Sequence, residues 1–143
     1  MYKNILVPVD LNAIGFSDKA IDCAIWYAQQ NDANLQLISV LPGMNMPMVA
    51  SYFPETAIKA MASDTRAQLL SFAKQHIPDD IQVSVHVEQG KPYKRILKYA
   101  QAHAIDLIII PSHKRSKLDK AMLGSVAAKV VENANMDVLV IKP

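Results

Sequence analysis

This sequence predicts an α/β fold: a doubly wound, five-stranded, mainly parallel sheet with helices on both faces. Three observations carry that expectation. Short strand-like apolar runs alternate with helix-period segments along the whole chain, an order that forces right-handed crossovers between parallel strands. Two of those runs, Ile5-Leu6-Val7-Pro8-Val9 and, directly after Asp106, Leu107-Ile108-Ile109-Ile110, are continuously apolar, as strands covered on both faces are. Finally, 143 residues suit a single domain over 1–143, large enough to bury a core without disulfides or structural metal.

The elements follow in order. Ile5 to Val9 reads as a central strand. Ser17 can cap the next segment, where Ala20, Ile21, Ala24, Ile25 and Ala28 recur at helical spacing until Asn31-Asp32-Ala33-Asn34 breaks the pattern. Leu35 to Leu41 is the second strand, ended by Pro42. Ile58, Met61, Ala62, Thr65, Leu69, Phe72, Ala73 and His76 then keep a period of 3.6 and predict a second helix. Residues Ile81 to Val87 alternate strictly, which predicts a strand at the sheet edge with one solvated side. Gly90-Lys91-Pro92 announces a third helix whose apolar face is Ile96, Leu97, Ala100 and Ala104. The fourth strand, Asp106 to Ile110, precedes a helix from Gly124 to Ala134, and Val138-Leu139-Val140-Ile141 is the last strand.

Composition narrows the function. Just over half of the residues are apolar, a fifth are charged, and the net charge is only +2. The charge is unevenly placed: Lys114, Arg115, Lys117 and Lys120 against Asp119 leave one loop at +3, so the rest of the chain sums to −1. A local basic loop suits a small anionic ligand, whereas nucleic acid calls for a broad basic face; no nucleic-acid partner is expected. Cys23 is the only cysteine, which rules out an internal disulfide and points to a reducing compartment. Met1-Tyr2-Lys3 runs straight into the first strand, and no apolar run approaches the roughly 20 residues that span a bilayer. The expectation is a cytoplasmic protein without membrane partners.

In doubly wound sheets, ligands bind beyond the carboxyl ends of the strands, where the winding reverses. The first and fourth strands, being the most continuously apolar, are expected side by side at the centre. That brings Pro8-Val9-Asp10 next to Pro111-Ser112-His113. The segment from Ile110 to Ser125 carries the basic loop and ends where a helix starts at Gly124-Ser125. Free backbone amides and the positive end of a helix dipole favour phosphate there.

Asp10, the Gly90-Lys91-Pro92 helix entry, Asp106-Leu107-Ile108-Ile109 and the segment Ser112-His113…Leu123-Gly124-Ser125 together resemble the universal stress protein family, over essentially the whole chain. The resemblance implies an adenine nucleotide alpha hydrolase-like fold and dimers joined through the last strand, here Val138–Ile141, either as a homodimer or as a dimer of dimers. It also implies a regulatory adenine nucleotide, ATP or AMP, with Mg²⁺ accompanying it. Asp10 would face the ribose or the phosphate-bound metal, while Val9 and Val40 would line the adenine pocket. ATP-binding members space Gly, two residues, Gly, nine residues, then Gly and Ser or Thr. Here Pro111 and Lys114 stand at the first two glycine positions, and Gly124-Ser125 keeps the third. Proline removes an amide donor and lysine adds a Cβ and a charged stem, so the expectation is an altered or weakened nucleotide site. Lys114 and Arg115 would face phosphate, and Gly124, Ser125 and Val126 would supply backbone donors.

Two other classes stand beside this binding module. One is a stress protein that has lost the nucleotide and acts through dimerisation and protein partners. The other is a slow metal-dependent ATPase in which Asp10 holds the metal. His113 next to Ser112 lacks the third group of a nucleophile, base and orienter set, so no catalytic residue is assigned. His76, His86 and His103 show no metal-ligand spacing, and no protein metal site is expected. The connection from Pro42 to Pro54, with Met44, Met46, Met48, Tyr52 and Phe53, is long and reads as a lid or an oligomer contact.

Overall fold

In the computed structural model, residues 1–13, 15–41, 54–113 and 123–143 are described. Along them run β1 (Asn4–Pro8), α1 (Asp18–Asn31), β2 (Asn34–Leu41), α2 (Glu55–His76), β3 (Val83–Gln89), α3 (Pro92–Ala102), β4 (Leu107–Pro111), α4 (Ser125–Asn133) and β5 (Asp137–Ile141). All pairings are parallel, in the order β3-β2-β1-β4-β5. The chain winds outward from β1 to β3, then crosses to β4 and winds the other way.

Side-chain alternation explains the two continuously apolar strands. Ile5 and Val7 of β1 and Leu107 and Ile109 of β4 enter one core with Ile21 and Ala24 of α1 and Leu69 and Ala73 of α2. Leu6, Ile108 and Ile110 enter the other, with Ile96, Leu97 and Ala100 of α3 and Ala127 and Val130 of α4. Each strand therefore faces helices on both sides, and a polar residue on either face would be buried without a partner. Asp106 clamps the start of this centre: its carboxylate accepts the Lys3 and Asn4 amides at 2.8 and 3.2 Å.

Several element boundaries differ from the sequence expectation for local reasons. Ser17 sits at the N-cap of α1 without a side-chain cap bond; its buried hydroxyl accepts the Asp10 amide at 3.4 Å instead. Asn34, expected in the break, already belongs to β2, because Asp32 turns the chain at φ 51°, a left-handed position that aspartate tolerates. Ile81 lies in a turn before β3, its amide bonded to the Pro78 carbonyl at 3.1 Å. Ala104 lies beyond the end of α3 at φ 51° and is exposed, so it is not on the buried face. Met61 is 44% exposed, because only part of the long α2 lies over the sheet.

β3 is an edge strand, as its alternation predicts, but its polar side is not simply solvated. His86 packs on Tyr99 with ring centroids 4.7 Å apart, and Tyr99 stacks on His103 at 3.9 Å. The Tyr99 hydroxyl donates to Gln36 Oε1 at 2.6 Å. Burial first, then the nearby His103 and Arg66, push the His86 pKa below its usual 6.5, with Glu88 opposing. Burial and then Glu88 push Tyr99 up to about 12. The unfolded chain therefore binds a proton at His86 more readily than the folded one. This contribution is complete above pH 6.5 and is lost as the pH falls towards the lowered folded value. The Tyr99 contribution is complete below pH 10 and is lost as the pH rises through about 12. Urea unfolding from pH 7.5 to 5.5 should show falling stability that flattens in His86→Gln; an equally steep fall in that variant would refute this assignment. No helix among the described residues is long and apolar enough to cross a membrane.

Candidate functional site

The winding reverses between β1 and β4, and a cleft of about 650 Å³ opens beyond their carboxyl ends. That volume is within the range of small-molecule sites. Its floor is apolar: Val9 follows β1, Ile38 and Val40 belong to β2, and Ile110 belongs to β4. Asp10 stands on one lip and His113 on the other, with Val126 from the first turn of α4 beside them. A flat apolar group suits that floor, and the carboxylates in the lining are Asp10 and, from α2, Asp64.

The residues singled out in the sequence divide into three groups. Pro8, Val9, Asp10, Val40, His113 and Val126 all line the cleft. Ser112, Gly124 and Ser125 do not. Ser112 is 3% exposed, and its hydroxyl accepts the Gly124 amide at 2.9 Å, so the Gly124 donor expected for phosphate is already used within the protein. Buried and absent from the cleft lining, the Ser112 hydroxyl is out of reach of a bound ligand. Ser125 is exposed at the start of α4, where helix geometry leaves the first amides without intrahelical acceptors. Lys114 and Arg115 fall outside the described residues, as does the connection over residues 42–53.

Gly124 also has a packing duty. A Cβ on it would stand 3.1 Å from the His113 backbone nitrogen and 3.2 Å from the His113 carbonyl oxygen. The strand exit and the helix entry approach closely here, which only glycine allows without displacement. Pro111 closes β4 opposite Ile141, and the following Ser112 amide bonds to the Ile141 carbonyl at 2.9 Å. Proline is tolerated at that terminal position of the strand, but it offers no amide to the cleft.

Sequence reasoning missed Phe16. Its ring stacks on His113 with centroids 3.5 Å apart and planes 6° from parallel, and it lines the cleft. No periodicity marks a single aromatic in a loop. Met61 and Thr65 of α2 and Pro92 and Ile96 of α3 also line the cleft. They read as core-face or helix-start residues because the same helical stripe that packs the sheet continues past its end. A depression of about 170 Å³ beside β3 and α3 holds Arg95 and Glu88, which are paired with each other at 3.4 Å. Among the described residues there is no cluster of three or more His, Cys, Asp or Glu that could hold a metal ion.

The family model described as Universal stress protein family matches residues 1–142. Universal stress protein G of Shigella flexneri is 28% identical over 99% of this chain and 100% of its own length. Among solved structures, the universal stress protein UspA from Lactobacillus plantarum superposes with a TM-score of 0.73 at 28% identity, over 98% of this chain and 97% of that one. A universal stress protein from Archaeoglobus fulgidus in complex with dAMP has the same fold, with a TM-score of 0.68 at 21% identity, over 99% of this chain and 98% of that one.

Proposed function

This chain belongs to the universal stress protein family, and from that premise we propose that it is a regulatory module binding an adenine nucleotide, AMP or ATP, in the cleft between β1 and β4. The observation that carries this reading is the pairing of an apolar floor with a carboxylate rim and a helix start in one cleft at the switch point. The floor of Val9, Ile38, Val40 and Ile110 offers a dry surface to a flat base. Asp10 can accept from ribose hydroxyls or face a nucleotide-bound Mg²⁺. The first turn of α4, whose Val126 lines the cleft, would offer its free amides and positive dipole end to the phosphate in this reading. The dAMP complex of the Archaeoglobus relative supports the same choice of ligand.

The affinity is tuned downward in this reading. Pro111 supplies no amide and the Gly124 amide is committed to Ser112, so fewer backbone donors meet the phosphate than in a glycine-rich loop. The stress-related role is one of sensing nucleotide rather than consuming it. Among the described residues β5 has one unpaired edge, and it carries the half-buried residues Val138, Leu139, Val140 and Ile141. An apolar strand edge of this kind favours pairing with a second copy, and the module works as a homodimer in this proposal.

Calorimetric titration of the purified chain with AMP and with ATP plus Mg²⁺ tests the reading, together with mass spectrometry of small molecules released on denaturation. Saturable heat at one site per chain, or released adenine nucleotide, is the expected result. No heat with millimolar ligand and no released nucleotide would remove it.

A further inference from the structure

Asp10 is held by groups that nucleotide binding as set out above does not use. Its Oδ1 accepts the Asn12 amide at 3.0 Å, a local turn that ties the carboxylate to its own loop. Its Oδ2 lies 3.6 Å from Nε2 of His113, which reaches over from the opposite lip. The imidazole is constrained in turn: one face lies flat on Phe16, 3.5 Å between centroids. Its backbone is seated against Gly124, with no room for a Cβ between them. Gly15, at φ 77°, makes the left-handed turn just before Phe16, a conformation that favours glycine.

We propose that His113 is a positioning residue for Asp10, with Phe16 as its backstop. The three side chains clip the two lips of the cleft together and aim the carboxylate at the ligand. This inference rests on the nucleotide reading and deepens it. An aspartate free to rotate on a half-exposed loop must be ordered when the ligand arrives, and ordering it in advance removes that cost. The clip leaves Asp10 able to act, because each carboxylate oxygen keeps lone-pair capacity beyond the contact it already makes. Asp10, Phe16 and His113 all border the cleft, so the held carboxylate lies where a ligand hydroxyl or cation would meet it.

A double-mutant cycle with AMP as the probe separates positioning from direct contact. His113→Phe keeps a ring to stack on Phe16 and removes the nitrogen edge, while Asp10→Asn keeps an Oδ1 acceptor for the Asn12 amide. If His113 acts through Asp10, His113→Phe should weaken AMP binding about tenfold in the otherwise natural chain and less than about twofold in the Asp10→Asn chain. His113→Gln, which restores a side-chain N–H, should recover part of the loss. Equal losses in both backgrounds would overturn the proposal, since His113 would then touch the ligand itself or act on the fold alone. A ligand-free measurement stands beside the cycle. Phe16→Leu should move the His113 ring-proton resonances downfield and shift the Asp10 carboxyl carbon, and constancy of both signals overturns the clip. If the unmodified chain takes up no AMP, the nucleotide reading falls, and the two ligand-free signals alone then decide whether the clip exists.

Discussion

Replacing Gly124 by alanine should destabilise the fold by about 1–3 kcal/mol and weaken AMP binding about tenfold, although the substitution adds only one methyl group. The backbone torsion is not the cause, because Gly124 sits at φ −57°, which alanine adopts freely. The cause is space: the new Cβ would stand 3.1 and 3.2 Å from the nitrogen and oxygen of the His113 main chain. Main-chain atoms cannot rotate aside as a side-chain end can. The strand exit and helix start must separate, which lengthens the 2.9 Å bond from the Gly124 amide to Ser112 and carries His113 away from Asp10. Urea unfolding should show a lower midpoint with an unchanged slope, and calorimetry should show the affinity loss. Stability within about 0.5 kcal/mol of the unmodified chain would show that the two segments give way easily and would refute this account.

Restoring glycine at both departed motif positions, Pro111→Gly with Lys114→Gly, should raise ATP affinity about tenfold, the value of one hydrogen bond to a charged group. Position 111 ends β4 at the cleft, and a glycine there returns an amide that proline lacks. Loss of the Lys114 ammonium works in the opposite direction through charge, so the salt dependence of binding should become shallower in the double variant. The amide outweighs the charge because a directed hydrogen bond inside the cleft is screened less than a long-range charge attraction. Calorimetric titrations of both chains at two ionic strengths measure the gain and the salt slope together. Binding that appears only in the double variant would place the natural chain with stress proteins that act through partners. Equal affinity in both chains would mean that position 111 does not meet the phosphate.

The sheet was largely legible because burial on two faces leaves a direct trace in composition. Leu6, Val7, Ile108 and Ile109 have only apolar residues on either side of them in the chain, and that pattern marks β1 and β4 as interior strands. Asp10 could be placed on the lip from strand ends and winding reversal, since a switch point follows from topology and needs no side-chain contacts. Gly124-Ser125 was legible as a helix start. What it does there was not: the Gly124 amide was expected to serve a ligand, whereas in the fold it serves Ser112. Sequence spacing shows which groups could meet, but several acceptors compete for each amide, and the winner depends on distances of a few tenths of an ångström. The same limit hid Phe16, whose partner lies 97 positions away along the chain. It also hid the exposure of Met61 at the cleft, because a helical stripe does not reveal where the sheet beneath it stops.

Local periodicity and two-sided apolarity, which are properties of neighbouring residues, were enough for the sequence alone to determine an α/β sheet wound in both directions, a crevice at its centre and a carboxylate on its rim. The tertiary structure decided how that carboxylate is held and which amides remain for a ligand. Those outcomes depend on close approaches between residues far apart in the chain, namely Asp10 with His113, His113 with Phe16 and with Gly124, and Ser112 with Gly124. They arise only once packing has brought the loop after β1, the end of β4 and the start of α4 to one place.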